Sequence, residues 1–212
     1  MHTQERKKIL HKLLAILAVL AVMAAAAAWH YLCDPWGYYW KVSPAEQQIR
    51  GRFIRCAEAY LGYNEADGSH AKIIDLYNSH KPLAVDYLVK YSDSWCSTFV
   101  SAVSIQTNLT DIIPTECGCQ RHIDLFRELD VWEERDDIIP LPGDIIFYDW
   151  DQTTSGEATG WADHVGIVVG TKWPFIKVIE GNKDDDVSYR ILTIGDTQIR
   201  GYAQPDFASR IN

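Results

Sequence analysis

DIIFYDW at 144–150, HVGIVVG at 164–170 and FIKVIEGN at 175–182 decide the fold of this chain. Each is a short run of β-branched and aromatic residues bounded by Gly, Pro, Asn or Asp, the pattern of a strand. YRILTI (189–194) and QIRGYA (198–203) continue it. Connections of this length suit antiparallel pairing rather than helical crossovers. Upstream the period becomes helical. Ser43, Pro44 and Glu46 form a capping box, Ile49, Phe53, Ala57, Tyr60 and Leu61 recur at helical spacing, and Gly62 stops the run. Further helices are predicted from Ser69 to about Leu76, over CSTFVSAVSIQ at 96–106, and from about Cys119 to Leu129. In the third of these four, Cys96, Phe99, Val100 and Val103 share one stripe. Helices followed by an antiparallel sheet make an α+β fold, with the amino-terminal helices packed on the sheet.

The 212 residues suffice for one ordinary domain and an appendage, and 47% hydrophobic residues with 23% charged residues exclude wholesale disorder. Charge is uneven. Residues 1–41 carry five basic and two acidic side chains, whereas the remainder carries 15 basic and 27 acidic ones. An acidic body with no basic stripe is repelled by phosphate, so nucleic acid is excluded as an expected partner. The five cysteines, at 33, 56, 96, 117 and 119, are too few and too scattered for a disulfide-stapled scaffold. Cys117-Gly118-Cys119 lacks a second pair at zinc-ribbon spacing, so neither a metal nor another cofactor is expected. Two of the five remain able to pair in an oxidising compartment.

The amino terminus has the form of an export or anchoring segment. A basic leader, MHTQERKKILHK (1–12), precedes sixteen uncharged apolar residues, LLAILAVLAVMAAAAA (13–28). That run suits the core of a signal peptide, with small-residue cleavage sites before Trp29. Extended to 13–32 it reaches the length of a membrane span, with Trp36, Tyr38, Tyr39 and Trp40 as an interfacial aromatic belt. The expected organisation is thus 1–40 as leader, signal or transmembrane anchor and linker, and 41–212 as the catalytic domain. The positive-inside rule puts 41–212 outside the cytoplasm, either held at the cell membrane by one span or secreted to the wall.

Three chemistry-bearing positions stand out in that domain. Cys96 opens a helix after SDSW, where Ser92, Asp93 or Ser94 is placed to cap it. A thiol in a first helical turn is acidified by the helix dipole and by unpaired amides, which also suit an oxyanion. His164 opens the strand HVGIVVG, with Gly166 on its face leaving room beside the ring. Glu180 and Asn182 lie two apart on a strand, hence on one inward face with Ile176 and Val178. Buried polar groups there need partners, and orienting His164 is one such role. Asp144 reads as the residue that holds the turn at Pro140–Gly143. Trp95, Trp150 and Trp161 read as packing residues or as the lining of a substrate groove. Cys33, Cys56, Cys117 and Cys119 read as structural.

WCSTFVSAV, PGDIIFYDW, HVGIV and VIEGN together resemble the CHAP family, the cysteine, histidine-dependent amidohydrolase/peptidase domains of bacterial and phage cell-wall hydrolases. The resemblance covers roughly residues 44–203. It implies a papain-like, NlpC-type fold in which Cys96 is the nucleophile, His164 the base, and Glu180 and Asn182 its supports. It further implies a monomeric peptidoglycan hydrolase, either an amidase or an endopeptidase, working through an acyl-enzyme. The competing expectations are an inactive wall-binding or assembly module and a papain-like cysteine protease acting on proteins. The chain departs from the family at YSDSWC (91–96), where many phage members have a glycine and a glutamine before the cysteine and an acidic calcium loop upstream. No side-chain oxyanion donor and no calcium site are therefore carried over.

Overall fold

The computed structural model of the chain describes residues 2–33, 42–151 and 161–211. It divides into two units, Met1–Pro35 and Trp36–Asn212. The first is one helix, α1 (His2–Cys33), of 32 residues. Its aliphatic side chains are exposed wherever they are described, from Ile9 through Leu13, Leu17 and Leu20 to Met23. Among the described residues no helix is long and apolar enough to cross a membrane. The longest run of described side chains in α1 is 11–25, shorter than a bilayer-spanning helix requires, so the expected span at 13–32 extends past it. The aromatic run at 36–40 and the boundary after residue 40 lie outside the described residues.

The second unit is α+β. Ser43 caps α2 (Pro44–Glu58), its Oγ accepting the Glu46 N–H at 3.2 Å. The helix ends before the predicted Leu61, and turns carry the chain to Gly62, whose φ of 81° takes it out of the helical path. Then come α3 (Ala71–Ser79), α4 (Cys96–Thr107) and α5 (Cys119–Glu128). The sheet holds β1 (Trp132–Glu133), β2 (Ile145–Tyr148), β3 (His164–Lys172), β4 (Phe175–Lys183), β5 (Asp186–Thr193) and β6 (Ile199–Ala203). Its order is β1-β6-β2-β3-β4-β5, and every pairing is antiparallel. β1 escaped the sequence because two residues cannot show a period.

Alternation along the strands produces two cores. Ile145, Phe147, Val165, Ile167 and Ile179 join the helices in the larger one. Ile146, Tyr148, Val168, Ile176 and Val178 form a smaller one with Leu192, Ile199 and Tyr202 on the opposite face. α4 lies deepest. Every residue from Cys96 to Ser104 is buried, so the expected single stripe is in fact a helix enclosed on all sides. Asp144 holds its turn as expected, its Oδ2 accepting the Leu141 N–H at 2.8 Å. Its Oδ1 meets Arg50 of α2 at 2.9 Å, and Arg50 also bonds Glu46, which ties α2 to the sheet through a buried ion pair.

What seats α4 on the sheet is a missing side chain. A Cβ added at Gly181 would stand 2.4 Å from Phe99 Cβ and 2.9 Å from Trp95 Cζ3. Only glycine lets the helix approach β4 this closely. Gly181→Ala must therefore lift α4, and we expect a loss of about 1–3 kcal/mol. Urea denaturation of the variant checks this, and an unchanged midpoint would contradict the close seating.

Candidate active site

Cys96 is the first residue of α4, and the N-cap is Trp95, which contributes no side-chain hydrogen bond. The expected cap from Ser92, Asp93 or Ser94 is absent. Asp93 is instead spent on its own turn, its Oδ2 accepting from the Lys90 N–H and the Tyr87 hydroxyl, each at 2.8 Å. The first intrahelical bond is that of the Phe99 N–H to the Trp95 carbonyl. The first-turn amides are thus left for whatever negative charge sits at the helix end. The Ser97 amide is among the groups that favour negative charge on the Cys96 sulfur.

The Cys96 thiol is drawn well below its ordinary pKa. The largest cause is a hydrogen bond with the Cys119 thiol; burial opposes it, and His164 and the Ser97 amide reinforce it. Cys119, the first residue of α5, places its Sγ 3.5 Å from Cys96 Sγ. Cys119, read as structural, thus touches the expected nucleophile, a contact that no local sequence pattern could disclose. Among the described residues Cys56, Cys96, Cys117 and Cys119 are all free thiols.

His164 begins β3, and its Nε2 lies 3.2 Å from Glu180 Oε2. That engagement leaves Nδ1 as the ring nitrogen available to the thiol. Burial alone would push the imidazole down, but the hydrogen bonds and charges of Cys96 and Glu180 outweigh it and raise its pKa to about 9. Burial likewise works to raise the Glu180 carboxyl, yet His164 and Arg190 win and hold it below its usual value. Glu180 has no exposed surface. It also accepts the Tyr148 hydroxyl at 2.7 Å and the Arg190 Nε at 2.8 and 2.9 Å. The room at Gly166 is filled by this arrangement, since an added Cβ would stand 2.5 Å from Val178 Cγ1 and 2.8 Å from Glu180 Cγ.

Cys96, His164 and Glu180 are therefore brought together; Asn182 is not. The pairing of β4 with β5 shifts register between Glu180 and Lys183, and Asn182 sits in that irregularity with φ 57°. The shift breaks the alternation that would have kept Asn182 on the face of Glu180. Among the described residues its side chain makes no hydrogen bond to His164. Trp95 takes the packing alternative and not the groove one: it is wholly buried in the core, and its Nε1–H donates to Glu65 at 3.0 Å. Trp150 packs beside the site, its ring 5.8 Å from that of His164 and stacked at 4.9 Å on Tyr148. Trp161 is 76% exposed.

Arg190 and Tyr148 were not singled out in the sequence. Both stand on strands beside those of the expected triad, and Arg190 lies over the rings of Trp150 and Tyr148 at 5.2 and 5.6 Å. A signal did exist. Arg190 occurs in the apolar run YRILTI, and it is opposite Val178 on the face that holds Glu180.

The arrangement brings together a thiol shifted toward its thiolate, an imidazole shifted toward imidazolium, a carboxylate that favours the charged ring, and first-turn amides at the helix end. Such a set is chemically suited to nucleophilic attack on an acyl carbon. Among the described residues, no group of three or more His, Cys, Asp and Glu side chains is placed to hold a metal ion. No protein-family model and no curated protein matches the chain.

The pH dependence follows from the two shifts. The reactive ion pair needs Cys96 ionised and His164 protonated. It persists above the depressed thiol pKa and is lost as pH rises through about 9. Glu180→Gln removes the charge that favours imidazolium, so the alkaline limb of a pH–rate profile should move down by about 1 unit or more. Asn182→Ala should leave both limbs in place. The opposite outcome for the two variants would transfer the supporting role to Asn182.

Proposed function

We propose that this chain is a peptidoglycan hydrolase that cuts an amide bond by cysteine catalysis. The observation that carries the reading is the relay from Cys96 through His164 to Glu180 at the uncapped end of α4. A helix presenting its amino-terminal cysteine to a histidine on an antiparallel sheet is the papain-like layout. The motifs WCSTFVSAV, PGDIIFYDW, HVGIV and VIEGN direct that chemistry to the bacterial wall through their likeness to CHAP domains. An inactive wall-binding module would have no use for a depressed thiol beside a raised imidazole.

In the proposed reaction the Cys96 thiolate attacks the amide carbonyl, and the first-turn amides of α4 receive the oxyanion. His164 donates its proton to the leaving amine, giving an acyl-enzyme. The neutral imidazole then takes a proton from water, which attacks the acyl carbon and frees Cys96. Glu180 keeps the ring oriented and favours its charged form, while Arg190 and Tyr148 hold Glu180. The exposed ring of Trp161 and the half-buried ring of Trp150 are the proposed contacts for sugar or stem peptide.

For location we propose a cell-membrane anchor formed by residues 13–32, or secretion to the wall, with the catalytic unit outside the cytoplasm. The exposed aliphatic side chains around α1 support this, because a helix apolar on every side has no stable place in water.

Two experiments test these readings. Mass spectrometry of fragments released from purified peptidoglycan should show amide cleavage by the wild type and a loss of several orders of magnitude in Cys96→Ala. Activity should survive EDTA; strong inhibition reversed by a divalent ion would refute the thiolate mechanism. For topology, alkaline phosphatase fused to the carboxyl terminus should be active in the host, and an inactive fusion would overturn the extracytoplasmic placement.

A further inference from the structure

Two of the four described free cysteines meet at the amino-terminal ends of two helices. Cys96 Sγ and Cys119 Sγ are 3.5 Å apart and both side chains are buried. The contact is built rather than incidental. The buried serines of α4 fasten the segment that leads into α5: Ser97 and Ser101 both donate to the Glu116 carbonyl, at 3.1 and 2.7 Å. Ser101 Oγ also accepts the Glu116 N–H at 2.8 Å. The Glu116 carboxylate then accepts the Cys117 and Gly118 N–H groups at 2.7 and 3.0 Å, which sets the turn immediately before Cys119. Cys117 lies outside this contact, half-buried, with Arg121 3.6 Å from its sulfur.

We propose that Cys96 and Cys119 form a peroxide-responsive modification site, in which a hydroperoxide converts the thiol pair into a reversible disulfide that blocks the nucleophile. In the first step the Cys96 thiolate attacks one oxygen of the peroxide. An S–O bond forms, the O–O bond breaks, and the departing oxygen is protonated to water or an alcohol. Sulfur is oxidised to a sulfenic acid and the peroxide is reduced. In the second step the Cys119 sulfur attacks the Cys96 sulfur. The S–S bond forms, the S–O bond breaks, and hydroxide leaves as water with the proton of the Cys119 thiol. The hydrogen bond to Cys96 is the largest cause that holds the Cys119 thiol protonated, ahead of burial and the charge on Cys96, and the first step removes that charge. The sulfurs must close from 3.5 Å to about 2.05 Å.

The site rests on the contact between the two sulfurs and not on the proposed substrate, and its test uses no substrate. The purified full chain is treated with hydrogen peroxide, alkylated, digested and mapped without reduction. A peptide linking Cys96 to Cys119 is expected, and dithiothreitol should restore iodoacetamide labelling of Cys96. In Cys119→Ser, peroxide should carry Cys96 to the sulfinic and sulfonic acids, and reductant should not restore labelling. Cys117→Ser should keep the cross-link. A wild-type map with Cys96 over-oxidised and no link to Cys119, or with Cys96 joined to Cys117, would overturn the proposal. Should Cys119→Ser fail to fold, the wild-type map decides alone. A cross-link without wall cleavage would leave this site standing and count against the proposed substrate.

Discussion

The carboxylate of Glu180 has no contact with water, and much of the second unit is arranged around that fact. An ionised carboxylate in such a place is tolerable only if its oxygens are occupied and a cation is near. Tyr148, Arg190 and His164 meet both needs from three strands, β2, β5 and β3. The same three groups bind β2, β3 and β5 to Glu180 of β4. The titration of His164 and the cohesion of these four strands therefore depend on one arrangement.

The helical layer solves a complementary problem. α4 is buried on all sides, yet its first turn must offer free amides next to a reactive sulfur. Leaving the cap to a tryptophan that has no acceptor achieves this, and it places the deficit of hydrogen bonds where negative charge develops. The polar serines on the same helix do not disturb the core because each is bonded to the backbone of the segment after it. Ser104 completes the series by donating to Ile113 at 2.6 Å. A stripe of hydroxyls inside an apolar helix thus becomes the fastening that fixes Cys119.

The α+β layout, four helices of the second unit and five strands could be read from the sequence because their periods and stops are local. So could Cys96, His164 and Glu180, each at the end or on the face of an element that its neighbours define. What escaped reading depends on three-dimensional register. Asn182 looked equivalent to Glu180 by counting along a strand, and a shift in pairing with β5 cancelled the count. Trp95 stayed open between packing and groove lining because aromatic chemistry alone does not distinguish a lip from a core. Arg190 and Cys119 owe their places to elements that meet only in the folded chain, and the absence of a cap on α4 could not be told from three good capping residues just upstream.

The two reacting residues lie 68 positions apart in the chain, one on a helix and one at the start of a strand. Contacts of such long sequence separation close late in folding. Before the layers meet, Cys96 is an ordinary thiol with a pKa of about 8.5 and His164 an ordinary imidazole near 6.5, so at neutral pH the thiol is almost wholly protonated and the imidazole mostly neutral. The shifted titration of both groups is in that sense a product of folding itself, and an unfolded or newly made chain carries neither shift.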